Sequence, residues 1–358
     1  MRLLFIRDFF DYGGASKMII NVAGAMSKLG HDSYVFAYGS ESCPIEIPDG
    51  VHFVKGSPYI DNRVLRHPAK IGEIRKKIKE VNPDLIVTFM PYPSILTMIA
   101  KIGLKKRIVI SERGDPRIYG GFIKLLGHRI IGCADGAVFQ TEGARDFYTG
   151  RLHARSVVIP NAITIRKSER RPWDQRENTI AFVGRFFNQQ KRQDLMVEAF
   201  ARLAPSYPEL KLVFYGDGED MGSIKALVKK YNLSDRVNFE GSVSPIEPYL
   251  KKAKMYVLTS DYEGIPNSLI EAMCVGLPCV ATDCTPGGAR LLIEDGINGV
   301  LIPRGKVDDI VKGCEKILGN PEKSEKMGIK AQEICEKYSP EAIYPRWNEY
   351  LMKIVADE

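Results

Sequence analysis

Glu263-Gly264-Ile265-Pro266-Asn267-Ser268-Leu269-Ile270-Glu271 sets two carboxylates eight positions apart around a bend and a helix start. Gly264 and Pro266 suit the bend, and Asn267 and Ser268 are favourable N-cap residues. Leu269, Ile270, Met273 and Leu277 supply the apolar positions of a helix running toward Gly276. The first amides of such a helix face forward, and with the positive end of the helix dipole they bind phosphate well. A carboxylate on either side can hold sugar or ribose hydroxyls, so the arrangement suits a nucleotide sugar. Ser268 and Glu271 also fit a capping box, in which the glutamate only reaches back to its own helix start.

Upstream, Gly184-Arg185-Phe186-Phe187-Asn188-Gln189-Gln190-Lys191 follows an apolar strand, Thr179 to Val183, and precedes a helical pattern from Gln193 to Leu203. Two cations thus stand at the mouth of a strand. At the carboxyl edge of a parallel sheet, Arg and Lys can neutralise a diphosphate, although a solvated cation at a strand end is commonplace. The chain opens with a comparable unit: a strand at Leu3 to Ile6, then Asp11-Tyr12-Gly13-Gly14-Ala15, then a helical pattern from Ser16 to Leu29. The glycine pair permits close backbone approach to a ligand, or simply a tight turn. It is no G-x-G-x-x-G, and no acidic ribose ligand follows it, which argues against a dinucleotide site and a dehydrogenase.

The chain is 358 residues long and 44% hydrophobic, enough for two cores. Strand-like runs at 84–90, 107–111, 136–140 and 156–160 alternate with helical ones, which predicts parallel α/β sheets. Residues 161–178 are rich in Arg, Glu, Lys and Ser without a sustained apolar pattern, so the hinge between two domains is placed there. From Pro340 to Val355, residues Ile343, Trp347, Tyr350, Leu351 and Ile354 recur at helical spacing and predict a packed terminal helix.

Cys43, Cys133, Cys274, Cys279, Cys284, Cys314 and Cys335 are odd in number and form no C-x-x-C pair, so reduced thiols in a cytoplasmic protein are expected. The five histidines form no ligand cluster, and the sequence shows no signal peptide or apolar run of spanning length. The acidic run Asp217-Gly218-Glu219-Asp220 follows the strand Leu212 to Tyr215 directly and reads as a strand-to-helix turn rather than a metal site.

These pieces together resemble the retaining nucleotide-sugar glycosyltransferases of family 4. The resemblance rests on Gly184-Arg185, Lys191, Gly216-Asp217-Gly218, Val237-Asn238-Phe239-Glu240-Gly241, the Glu263 to Glu271 element, and Asp295-Gly296-Ile297-Asn298-Gly299, met in that order. It implies the GT-B fold: two Rossmann-like α/β domains facing a central cleft, residues 1–165 for the acceptor and 166–339 for the donor. A terminal helix, 340–358, is then expected to cross back to the first domain. By the same resemblance, Arg185, Lys191 and the amides of Asn267, Ser268 and Leu269 hold the diphosphate, Glu263 a donor-sugar hydroxyl, and Glu271 the ribose. Gly13 and Gly14 wrap the donor phosphates, and Gly184, Ser242 and Val243 line the donor site. Pro286-Gly287-Gly288-Ala289-Arg290 is either a site wall or a structural turn.

Many relatives carry a histidine where this chain reads Ile110-Ser111-Glu112-Arg113-Gly114-Asp115-Pro116. Arg113 stands near that histidine's place, and Glu112, Arg113 and Asp115 are left as acceptor contacts, sugar contacts or a salt-bridged loop. The expected reaction needs no metal and no cofactor beyond the nucleotide-sugar substrate, with a UDP-sugar as the leading donor. An epimerase or hydrolase of the same fold, or a non-catalytic binding subunit, are the competing readings.

The net charge of +7 is unevenly spread: residues 1–165 carry +8 and the remainder −1. The excess gathers at 63–79, with Arg75, Lys76, Lys77 and Lys79, and at 101–107. If the first domain receives the acceptor, this suggests an anionic lipid-linked or saccharide acceptor, or peripheral contact with an anionic membrane surface, beside the plain alternative of a solvated basic face. Nucleic acid is a poor fit, since no aromatic residues interleave with these cations.

Overall fold

The computed structural model describes residues 1–11, 14–57, 63–121, 123–165 and 167–357. The chain divides into two compact units, Met1–Ala162 with Pro340–Glu358, and Ile163–Ser339.

The first unit is built on seven parallel strands: β1 (Arg2–Arg7), β2 (Asp32–Ala37), β3 (Val51–Val54), β4 (Leu85–Phe89), β5 (Arg107–Glu112), β6 (Gly136–Phe139) and β7 (Ser156–Val158). Their order is β3-β2-β1-β4-β5-β6-β7, with Leu3 of β1 opposite Ser33 and Leu85 on its two neighbours. Continuous apolar runs such as Leu3-Leu4-Phe5-Ile6 and Leu85-Ile86-Val87 are fully buried, as strands covered by helices on both faces must be. Chain order reverses between β1 and β4, which opens a crevice at the carboxyl ends of those strands.

The second unit repeats the plan with six parallel strands: β8 (Thr179–Val183), β9 (Lys211–Tyr215), β10 (Val237–Phe239), β11 (Met255–Leu258), β12 (Cys279–Thr282) and β13 (Val300–Ile302). Their order is β10-β9-β8-β11-β12-β13, with the reversal between β8 and β11. Phe182, Phe186 and Phe214 pack with Leu195, Met196 and Phe200 of the helix Gln193–Leu203 into its core.

The last helix, Pro340–Ala356, belongs to the first unit. Its apolar stripe is core: Trp347 is fully buried and stacks on Phe89 at 6.0 Å, and Ile343, Leu351 and Ile354 are buried beside it. The Tyr350 hydroxyl accepts from the Ala137 amide at 2.8 Å and donates to the Arg155 carbonyl, while Asn348 meets His31 Nε2 at 2.6 Å.

One expectation is corrected. The thiols are not all reduced: Cys274 and Cys335 form a disulfide across a Cα separation of 5.9 Å. Sixty-one residues separate them in sequence, so spacing alone hid a pairing made by the packing of the helices Asn267–Cys274 and Ile334–Lys337. The boundary between the two units, Ala162 to Ile163, falls inside the stretch 161–178 where the hinge is expected, and the later residues of that stretch belong to the second unit. Those residues are fastened there: Arg170 Nη1 lies 2.5 Å from Glu325, and the Ser168 carbonyl accepts from Gln332 Nε2 at 2.9 Å.

Candidate active site

At the carboxyl edge of the second sheet, the ends of three strands, β8, β9 and β10, converge through backbone contacts. The Gly184 amide, just past β8, donates to the Tyr215 carbonyl at 2.9 Å; the Gly216 amide, just past β9, donates to the Gly241 carbonyl at 2.7 Å. Gly216 takes φ 138°, and a Cβ there would overlap the Gly184 carbonyl, so only glycine admits this approach. The Phe186 amide reaches the Asp217 carbonyl at 3.0 Å, and Asp220 Oδ2 accepts from the Asn188 amide at 2.7 Å. The run from Asp217 to Asp220 therefore braces the Gly184–Lys191 loop, and no cluster of three metal-ligating side chains occurs among the described residues.

The loop after β11 carries Glu263. Its amide donates to the Thr285 carbonyl at 2.8 Å, tying it to the loop after β12, where Gly288 presses so closely on the Gly264 carbonyl that a Cβ would overlap it. Pro286-Gly287-Gly288 is thus a wall of the Glu263 loop, and its glycine is demanded by backbone contact. The Glu263 carboxylate is buried; its Oε1 accepts from Lys191 Nζ at 2.5 Å and from Ser260 Oγ at 2.8 Å. Lys191 lies with its stem along Gly184, and the Thr259 hydroxyl holds the carbonyls of Lys191 and Arg192 at 2.7 and 2.9 Å. With one of its three N–H bonds spent on Glu263, and no other partner among the described residues, the Lys191 ammonium keeps two for an anion.

Behind this cluster runs the helix Asn267–Cys274, where one sequence expectation is corrected. Its N-cap is Pro266, not Asn267 or Ser268, and no side chain caps it. The Ser268 hydroxyl instead bonds Tyr256 OH at 2.8 Å, so the capping box does not form through it. Asn267 and Ser268 therefore occupy the first two helical positions, whose amides have no acceptor within the helix. The third amide expected to face forward, that of Leu269, is already used by the Pro266 carbonyl at 3.1 Å. Glu271 follows one turn into the helix and is half-buried.

Arg185 stands apart from this cluster. Its side chain is 72% exposed, and the nearest carboxylate is Glu219 at 3.9 Å. Ser242 is exposed and Val243 half-buried, next to Gly241. Sequence reading missed Thr259 and Ser260, which orient Lys191 and Glu263. Their signal was positional, two hydroxyl residues directly after a buried strand.

The residues singled out in the first half are divided. Gly13 lies outside the described residues, and Gly14 is the first residue of the helix Gly14–Lys28. Glu112, Arg113 and Asp115 are all buried and engaged within their own unit. Glu112 Oε1 accepts from the amides of Arg113 and Gly114 and from Tyr119 OH, at 3.0, 3.2 and 3.0 Å, and burial pushes its carboxyl up to about 7. Asp115 caps the short turn at Pro116–Ile118 through the Arg117 amide. The Arg113 guanidinium lies over the rings of Phe89 and Trp347 at 4.9 and 5.2 Å and donates to Asn161 at 3.2 Å, and burial pulls its pKa down to about 9. Arg113 Nε and Nη2 are buried without a hydrogen-bond partner among the described residues, so the three readings stay open for this loop.

Two family models divide the chain between them. "Glycosyltransferase Family 4" matches residues 12–167 and "Glycosyl transferases group 1" matches residues 164–334. The chain belongs to this glycosyltransferase family, and its two parallel-sheet domains have the GT-B fold. It is 32% identical to the lipopolysaccharide 1,6-galactosyltransferase of Salmonella typhimurium, over 89% of this chain and 90% of that one. It is 24% identical to a Campylobacter jejuni α-1,4-N-acetyl-D-galactosaminyltransferase named for a GalNAc-extended diNAcBac-PP-undecaprenol acceptor, over 100% and 99%. Among solved structures, HepE of Anabaena in complex with UDP and glucose superposes with a TM-score of 0.81 at 18% identity, covering 99% of this chain and 100% of that one.

Proposed function

We propose that this glycosyltransferase moves a hexosyl group from a UDP-sugar to a lipid-linked oligosaccharide or polysaccharide precursor at the cytoplasmic face of the membrane, with retention of anomeric configuration. The observation that carries the reading is the Lys191–Glu263–Ser260 cluster beside the start of the helix Asn267–Cys274, a cation, a carboxylate and two forward amides at one sheet edge. The UDP complex of the Anabaena relative supports the donor class, and the undecaprenol-linked acceptor of the Campylobacter relative supports the acceptor class.

In this mechanism Lys191 and the amides of Asn267 and Ser268 take up the negative charge that grows on the diphosphate as the glycosidic bond breaks. Arg185, free to swing from its exposed position, closes on the same charge. Glu263 holds a donor-sugar hydroxyl and Glu271 the ribose hydroxyls. The acceptor hydroxyl attacks from the face that the diphosphate leaves, and its proton passes to the departing phosphate oxygen. The charge is carried by side chains and amides, so the reaction proceeds without a divalent metal. The basic first half receives an anionic acceptor and touches the membrane at its periphery.

The test is a thermal-shift panel of UDP-, GDP- and ADP-sugars in EDTA, with Glu271→Ala as the control. A shift confined to UDP-sugars and abolished in the variant is expected. No shift with any nucleotide sugar overturns the reading.

A further inference from the structure

The helix Asn267–Cys274 has a second charged feature at its far end. It closes in a Schellman turn: Gly276 adopts φ 72°, its amide bonds the Met273 carbonyl at 2.9 Å, and the Leu277 amide bonds the Ala272 carbonyl at 3.0 Å. Two further carbonyls of that turn are taken by side chains. The Cys274 carbonyl accepts from Gln332 Nε2 at 3.0 Å, and the Gly276 carbonyl accepts from Arg176 Nη2 at 2.9 Å.

Arg176 is an unusual cation. It is 5% exposed, and its guanidinium is satisfied by carbonyls alone: Nε donates to Arg171 at 2.8 Å, Nη1 to Ala253 at 3.2 Å and Nη2 to Gly276. Among the described residues no carboxylate forms an ion pair with it, and burial, with Arg170 adding to it, pulls its pKa down to about 10. A buried charge with no carboxylate in contact, and only Glu325 acting on it from a distance, is costly to keep. A neutral side chain could donate to a carbonyl as well, as Gln332 does on the same helix end, so the hydrogen bonds do not by themselves require an arginine.

We propose that Arg176 is a positioning residue for anion binding: its fixed charge offsets the negative pole of the helix Asn267–Cys274 and thereby strengthens the positive pole that faces a diphosphate. The eight-residue helix is about 12 Å long, short enough in a protein interior for a charge at one end to be felt at the other. This inference rests on the proposed function, which places the donor's diphosphate at the amides of Asn267 and Ser268. Within it, Arg176 contacts no substrate. It acts through the helix, and its effect grows with the charge of what binds.

Calorimetric binding of UDP and of uridine to the full chain separates the possibilities. In Arg176→Gln, UDP affinity is expected to fall about tenfold, the scale of one unit charge about 12 Å away at an effective dielectric constant of about 20, while uridine affinity holds. Arg176→Lys, which keeps the charge and loses the planar fork, is expected to bind UDP as the wild type does. A folded Arg176→Gln with unchanged UDP affinity overturns the proposal, as does an Arg176→Lys as weak as the glutamine variant. If Arg176→Gln does not fold, Arg176→Lys decides alone: a tenfold loss there means that the fork and not the charge matters. Failure of the wild type to bind UDP overturns the donor reading instead, so the two failures are distinct.

Discussion

Lys191 Nζ lies 2.5 Å from Glu263 Oε1, joining the loop after β8 to the loop after β11 through one short ion pair. Both side chains are largely buried, at 15% and 9% exposure, so removing either one strands the other. Lys191→Ala is expected to lower turnover by at least a hundredfold, the scale at which a preorganised electrostatic donor is missed. It also costs stability, on the order of 2 kcal/mol for an uncompensated partly buried carboxylate. Activity assays beside denaturant melts separate the two effects, and a folded, fully active Lys191→Ala would remove Lys191 from the site.

Arg185 gives the opposite pairing of effects. Its side chain is open to solvent and its one ionic neighbour among the described residues is 3.9 Å away, so Arg185→Ala leaves the melting temperature within about 1 °C of wild type, as expected for a surface substitution. Turnover falls by tenfold or more. A variant that keeps wild-type kcat would show that the exposed arginine serves solubility alone.

Gly288→Ala should be severe for a reason unrelated to charge. A methyl at this position meets the Gly264 carbonyl, and backbone on both sides leaves nothing to rotate away. A loss of about 2–4 kcal/mol is expected, with the Glu263 loop displaced and activity lost even where the protein stays folded. An alanine variant with normal stability would contradict the close approach of the two loops.

The Glu112 carboxyl supplies a pH signature. Its pKa rises from the ordinary 4.5 to about 7 on folding, so between these values the folded state binds more protons than the unfolded state. Its contribution to stability is complete below pH 4.5 and is lost as pH rises through 7. Glu112→Gln is expected to flatten this part of the curve. Melting temperatures at pH 5 and pH 7.5 for both proteins provide the check, and an unaltered slope in the variant would assign the titration elsewhere.

Much of the frame was legible because its signals are local. The strand β8 and the helix Gln193–Leu203 fall where an apolar run and a 3.6-residue period place them. The terminal helix was equally plain from Ile343, Trp347 and Ile354. Less legible was whatever depends on partners far apart in sequence. Glu112, Arg113 and Asp115 are open between ligand contacts and a salt-bridged loop when read along the chain, and it takes the distant Trp347 and Asn161, with Tyr119, to show how they are buried. Ser268 reads as a helix cap until Tyr256 claims its hydroxyl. The Cys274–Cys335 pairing and the grip of Arg176 on Gly276 likewise join positions that no motif connects.

The membership of Pro340–Ala356 in the first unit bears on the order in which the protein can be made. Trp347, which completes the packing against Phe89, is synthesised after every residue of the second unit. On the ribosome the second unit therefore has all its residues first, and the first waits with Phe89 uncovered until the last helix emerges. A released chain truncated after Ser339 should show a protease-resistant second half and a sensitive first half, the reverse of the usual sequence in which amino-terminal domains mature early.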